Sequence, residues 1–430
     1  MREFLGAAAR SFAGRILGAA SALVASYSVT SNLSVAESGV FFLSLGFTIF
    51  FSHFLRFGLD NFVLKKCAIF LSEDSFRQFL SVVSVSVLIC IVGSLLVFML
   101  VYLSGFVISY EYMEYLLMAY PAALAVALLG VVGHTLHASG YVFIGALTNT
   151  SLHYIIFTIL VWIIVPPDAV GFIFIFSVAC YSALLIQMLT ALFAYTRNGI
   201  RFSEWASVKM SDANYREIYE TTLPLWIVVI AQQLNQWGSQ FVSSVYVAES
   251  DLALLAISVR IALLVPMILT AVNMVVSPKF AAHHHKGESD KTESVLAESL
   301  KLLAIVSLFV FVVIVLFGDD VLRIFGKQYV EAAGLLSILV CGQLINSLTG
   351  PCGKLLMMSG FEKDVRNSSV IVAAAGLLLA FYMTAELGVI GAAVSTALTI
   401  SIQNIAFAWL VHRRLDMNLL KIYSGFFRRT

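Results

Sequence analysis

The side chains best suited to recognition in this chain stand at helical spacing. Gln232, Gln236, Ser239 and Ser243 fall at i, i+4, i+7 and i+11, with Asn235 and Gln240 beside them. Residues so spaced share one face of an α-helix, and at ~1.5 Å per residue the stripe runs ~16 Å. Amides facing lipid would leave donors and acceptors unpaired, so the stripe must face protein or water. As interhelix glue it would only hold helices together. In a hydrated cavity the amides would bind sugar hydroxyls while Trp237, in the same segment, stacks its indole on a sugar face. The length of the stripe and its aromatic neighbour favour the cavity.

Arg260 is the second chemical signal. It lies ~12 Å of helix into the apolar run 252–277, at ~1.5 Å per residue, too deep for easy snorkelling. An arginine at the centre of a membrane helix costs ~2.5–3.5 kcal/mol and normally faces a cavity or a partner. No apolar run of the chain has an aspartate or glutamate in its interior, so the expected partner is an anionic substrate. The alternative is a structural arginine bonded to backbone carbonyls or glutamines. Arg15, in Gly14-Arg15-Ile16-Leu17-Gly18, and Arg56 lie near the ends of the first two apolar runs. For both, headgroup capture competes with snorkelling or interface anchoring.

Other candidates carry less. His134 and His137 share a helix face at a span boundary, where amphipathic side chains are ordinary. The run His283-His284-His285 reads as a solvated turn, since no further ligand cluster accompanies it. The cysteines Cys67, Cys90, Cys180, Cys341 and Cys352 have no paired spacing. The sequence therefore predicts no disulfide, no metal site and no cofactor.

These groups need a membrane scaffold. With 60% hydrophobic and 12% charged residues over 430 positions, the chain has far more apolar surface than one water-soluble core buries. Hydropathy predicts spans at 11–30, 39–57, 79–103, 115–137, 143–165, 170–195, 223–247, 252–277, 302–317, 332–357, 368–385 and 389–412. Lysines and arginines gather before the first span and after every even-numbered one, with Arg323 and Lys327 the basic exceptions on the other side. The positive-inside rule then puts both termini in the cytoplasm.

The longest connection on that side divides the spans, giving an N-lobe at 1–200, a linker at 201–222 and a C-lobe at 223–430. Ser139-Gly140-Tyr141 and Ser359-Gly360-Phe361, at equivalent places in the two halves, point to a parallel repeat. The expected fold is an all-α integral membrane protein of 12 transmembrane helices in two six-helix lobes. Pro121, Pro224, Pro266 and Gly350-Pro351-Cys352-Gly353 mark expected kinks.

The chain resembles the multidrug/oligosaccharidyl-lipid/polysaccharide exporter superfamily, most closely its polysaccharide-biosynthesis or O-antigen flippase branch. The resemblance is carried by RFGLDNFVLKKCA at 56–68, by 252–281 with Ser277-Pro278-Lys279, by 321–359 with Phe325-Gly326 and Gly350-Pro351, and by GVIGAA at 388–393. It implies lobes arranged around a central cavity that opens alternately to each side. It also implies a substrate, an undecaprenyl-diphosphate-linked oligosaccharide repeat moved from the cytoplasmic to the periplasmic leaflet of a bacterial inner membrane. Related lipid II flippases have cavity arginines in segments similar to those of Arg15 and Arg260. They also have fourteen spans and an acid after the first-helix motif that this chain lacks, so the oligosaccharide branch fits better.

The expected role is therefore a flippase and not an enzyme, with Arg260, Arg15, Arg56, Gln232, Asn235, Gln236, Trp237 and Gln240 as substrate-binding residues. Its expected partners are the lipid-linked glycan, membrane lipid and a polysaccharide polymerase with its assembly proteins, with no nucleic acid. A drug exporter of the same fold and a polytopic polymerase or glycosyltransferase are the alternatives. The drug exporters commonly couple through membrane carboxylates, and the enzymes need a large external loop to hold catalytic groups. The sequence shows neither.

Overall fold

A computed structural model describes residues 2–106, 110–200 and 215–427, with the side chains of 2–12, 15 and 425–427 outside that description. Among the described residues the chain is helical and has no strand. It divides into two compact units, Met1–Ile230 and Ala231–Thr430, and the division falls within one long helix. Most of the expected linker, 201–214, lies outside the described residues.

The first unit contains α1 (Arg2–Asn32), α2 (Val35–Leu55), α3 (Leu59–Ser72), α4 (Phe76–Ser104), α5 (Met113–Ala138), α6 (Val142–Thr150), α7 (Leu152–Ile164) and α8 (Ala169–Arg197). Helix starts follow local chemistry. Ser34 and Glu37 form a capping box that opens α2, and Asp168 accepts a hydrogen bond from the Gly171 amide at the start of α8. Each satisfies backbone donors that the first helical turn leaves open. The central helix is α5, against which α2, α3, α4, α6 and α8 pack. Around it Phe79, Leu80, Leu129 and Leu136 are fully buried. Gly14 and Gly18 bring α1 close to α6, since a Cβ on either would meet Ala146 or Thr150 within 3 Å.

The helix α9 (Tyr215–Tyr246) runs from the first unit into the second. There follow α10 (Glu249–Ala262), α11 (Met267–His285), α12 (Ser289–Ile324), a 3-10 turn (Lys327–Ala332), α13 (Ala333–Thr349), α14 (Cys352–Met358), α15 (Glu362–Leu415) and α16 (Leu419–Phe427). Phe280, Leu296, Leu300, Leu355 and Val411 centre the core of this unit. Within α15, Gly388 takes a non-helical conformation (φ 59, ψ −141). A Cβ on Gly391 would strike the Met383 carbonyl, and one on Gly376 would lie 2.6 Å from Thr399. Those contacts pair residues on opposite sides of Gly388, so the two arms form a helical hairpin.

Seven helices among the described residues are long and apolar enough to cross a membrane, or nine if two bent pairs each form one span. One bent pair revises an expectation, and the other carries the kink expected at Pro266. The spans expected at 143–165 and 252–277 are each two helices meeting at a 44° bend. In the second, Pro266 lacks the N–H that would continue the ladder, and it caps α11 instead. Gly350-Pro351 separates α13 from α14 as expected, whereas Pro121 and Pro224 lie inside continuous helices.

Candidate functional site

The amides of α9 open onto a cavity of about 340 Å³ in the second unit. Gln232, Asn235 and Gln236 form one wall, as their i, i+3 and i+4 spacing requires. Thr270 and Asn273 of α11 enter one helical turn apart, as do Gln343 and Asn346 of α13. The second arm of α15 contributes Thr396, Gln403, Asn404 and Phe407. Leu263 and Pro266, at the break between α10 and α11, complete the broken wall. Interrupted helices of this kind accompany binding sites in membrane transporters because their freed backbone groups need a polar space.

The amides are ordered by one another. Asn235 Nδ2 donates to Gln403 Oε1 at 3.2 Å, and Gln403 Nε2 donates to Ser368 Oγ at 3.3 Å. Asn346 Nδ2 donates to Gln343 Oε1 at 3.1 Å, and Asn404 Nδ2 donates to the Ile400 carbonyl at 2.8 Å. The side-chain oxygens of Asn235 and Asn273 are enclosed with no hydrogen-bond partner among the described residues. Among the described residues no side chain of this wall carries a charge. Phe407, largely buried, adds an apolar ring.

The structure thus brings three of the sequence-derived site residues to the cavity, while Trp237, Gln240, Arg260 and Arg56 are not part of its described wall. Trp237 is buried, and its indole N–H donates to Gln233 Oε1 at 3.1 Å, so it does not line the cavity. Gln240 is buried outside the wall. Ser239 meets Ser395 Oγ at 3.2 Å, and Ser243 Oγ donates to the Ser239 carbonyl. The stripe accordingly changes role along its length: one end faces the cavity and the other is helix-packing glue. Arg260 is half-buried in the last turn of α10, one residue beyond Val259 of the wall. A cation there is favoured by the helix dipole.

Arg56 belongs to a different arrangement, in the first unit. It follows α2, is 6% exposed, and pairs with Asp60 at 3.0 Å while Nε donates to the Ser52 carbonyl. Burial alone would raise the Asp60 carboxyl, but the Arg56 guanidinium beside it, with help from His134, holds it below the ordinary carboxylate range. Gly130 makes the space, since a Cβ there would lie 2.5 Å from Arg56 Nη1. The side chain of Arg15 lies outside the described residues.

Sequence reasoning missed Asn273, Gln343, Asn346, Gln403, Asn404 and Phe407. The available signal was amide pairs at i, i+3 or adjacent positions inside otherwise apolar runs.

Several helices long and apolar enough to cross a membrane, together with a polar cavity in the second unit that has no charged side chain among the described residues, are the features of a polytopic membrane transporter. The model of the lipid II flippase MurJ family matches residues 65–333, and the chain belongs to that family. It is 21% identical over 239 residues to the probable low-salt glycan biosynthesis flippase Agl15 of Haloferax volcanii, covering 55% of this chain and 51% of that protein. The chain thus spans about half the length of the curated relative it matches.

Solved structures share the fold. A lipid II flippase MurJ in an inward closed conformation aligns with a TM-score of 0.71 at 17% identity, over 97% of this chain and 90% of that one. An inward-facing multidrug resistance MATE family transporter of the MOP superfamily aligns at 0.70 and 16% identity, over 94% and 96%. A MOP superfamily transporter from Pyrococcus furiosus aligns at 0.65 and 14%, over 96% and 95%. The exporter superfamily expected from the sequence is the one these comparisons return. They describe flippases and transporters, and the chain is a multi-pass membrane protein.

Proposed function

We propose that this protein is a flippase for an undecaprenyl-diphosphate-linked oligosaccharide repeat, moving it from the cytoplasmic to the periplasmic leaflet of a bacterial inner membrane. The observation that carries the reading is the cavity of the second unit, lined by amides from α9, α11, α13 and α15 and free of charged side chains. In a flippase family, such a wall fits the polyhydroxyl part of a lipid-linked glycan. Each amide offers both a donor and an acceptor, and Phe407 offers a ring face to sugar C–H groups.

The anionic part of the substrate needs a cation, and the cavity wall has none. Arg260, beside the wall, takes the diphosphate through charge-assisted hydrogen bonds to its oxygens. Arg15 serves as an entry contact for the headgroup. Arg56 is engaged by Asp60 and has a structural role here. Twelve spans in two six-helix lobes, with both termini cytoplasmic, expose the site to each leaflet in turn while the polyprenyl tail stays in lipid. A polymerase would consume the product.

The test is complementation of a deletion strain. Arg260→Ala, present at the wild-type protein level, is expected to lose surface polysaccharide, and Arg260→Lys to recover part of it. Full polysaccharide with Arg260→Ala would refute the assigned role. Altered resistance to cationic dyes with no glycan defect would favour drug export.

A further inference from the structure

Which glycan enters is a question the wall chemistry addresses. Among the described residues the cavity presents eight amide side chains and two threonines but no lysine, arginine, histidine, aspartate or glutamate. A carboxylate moved from water into such a space loses part of its hydration, and no side chain of the wall itself supplies a cation to compensate. Hydroxyls and N-acetyl groups exchange water for amide partners at little cost.

The internal bonding sharpens the preference. The Nδ2 groups of Asn235, Asn346 and Asn404 and Nε2 of Gln403 each donate one N–H within the protein and keep a second. The oxygens of Asn235 and Asn273 are left without partners. The wall therefore offers N–H donors and carbonyl acceptors side by side, a pairing that suits hydroxyl and N-acetyl groups. A sugar hydroxyl supplies a donor, whereas an ionised carboxylate is an acceptor only.

We infer that this cavity selects uncharged sugar units and rejects units carrying a carboxylate, so that the substrate class is a neutral or N-acetylated glycan on an anionic lipid. The inference rests on the flippase reading above. It separates two tasks: the diphosphate is recognised outside the cavity, and the glycan is sorted inside it.

The full-length protein, reconstituted in liposomes, is to be supplied with two undecaprenyl-diphosphate probes. One carries a neutral N-acetylhexosamine disaccharide, and the other is the same disaccharide with one ring replaced by a hexuronic acid. The neutral probe is expected to cross at least ~10-fold faster, the ratio that a difference of about 1.4 kcal/mol produces. Adding a cation to the wall by Asn404→Lys, or by Gln236→Arg should that variant fail to fold, is expected to narrow or reverse the ratio.

Equal transport of both probes by wild type would overturn the inference and leave the flippase reading standing. Faster transport of the acidic probe would also overturn it. Transport of neither probe, in vesicles where the protein is folded by its circular dichroism, would overturn both. A ratio that survives both cationic substitutions would show that selection occurs elsewhere.

Discussion

Replacing Gly58 with alanine should destabilise the first unit by several kcal/mol, because two independent costs meet at that residue. Gly58 lies between α2 and α3 at φ 70, a left-handed conformation, and its would-be Cβ is 2.5 Å from the Thr222 carbonyl and 2.9 Å from the Trp226 amide nitrogen. The conformation costs an alanine about 1–2 kcal/mol. Overpacking adds typically about 1–3 kcal/mol, and here the neighbours are backbone atoms that cannot rotate away. The sum is about 2–5 kcal/mol.

Two other glycines separate those costs. Gly140 has φ 88 with nothing within 4 Å, so Gly140→Ala incurs the conformational cost alone. Gly93, inside α4, is not in the left-handed region and has open space, so Gly93→Ala should stabilise by about 0.5–1 kcal/mol. Unfolding of such proteins is commonly irreversible. The assay is therefore the temperature at which half the detergent-solubilised protein leaves the monodisperse peak, at one fixed heating time. The expected order is Gly93→Ala at or above wild type, then Gly140→Ala, then Gly58→Ala. Equal loss for Gly58→Ala and Gly140→Ala would refute the close approach of the α2–α3 turn to the start of α9.

Arg56→Ala should cost about 1–3 kcal/mol by taking the guanidinium from the half-buried Asp60, which then keeps only His134 at 3.7 Å, and Arg56→Leu combined with Asp60→Leu should recover most of it; the same heating assay reads both. Trp226→Phe should lose about 0.5–1.5 kcal/mol through the hydrogen bond that its indole donates to the Phe54 carbonyl at 2.9 Å, with the ring contact to Phe54 retained. Before α12, Lys291 and His283 hold the Glu288 carboxylate, lowering it from 4.5 to about 2. A depressed carboxylate stabilises above its unfolded value, so this local order is present above about pH 4.5 and is lost as pH falls through about 2. Hydrogen-exchange protection over 283–292, with the intrinsic pH dependence of amide exchange divided out, should fall across that window in wild type and hold steady in Glu288→Gln.

How far the sequence revealed this protein depends on the range of the signal. Hydropathy is local, so the long helices α2, α4, α5 and α8 were legible from it. Where a proline breaks a span was not, because Pro224 is accommodated inside α9 while Pro266 ends a helix. Neighbouring helices decide that, and they are distant in sequence. The α9 stripe was visible as a spacing, yet the spacing cannot distinguish its cavity end from its packing end. Ser239 meets Ser395, and Asn235 meets Gln403, across more than 150 positions. Trp237 looked like a sugar platform because it is aromatic and adjacent, but its helix turns it towards Gln233. Phe407, which does line the wall, is one phenylalanine among 33.

Transport of a fluorescent undecaprenyl-diphosphate-linked neutral glycan across sealed liposomes, read by quenching from outside, bears most directly on whether the amide-lined cavity belongs to a flippase. Wild-type protein should move the lipid, and Gln236→Leu combined with Asn404→Leu should slow it to roughly a tenth or less, the change expected when about 1.4 kcal/mol of substrate stabilisation is lost. No movement by folded wild-type protein, or equal rates for wild type and the leucine variant, would contradict the account.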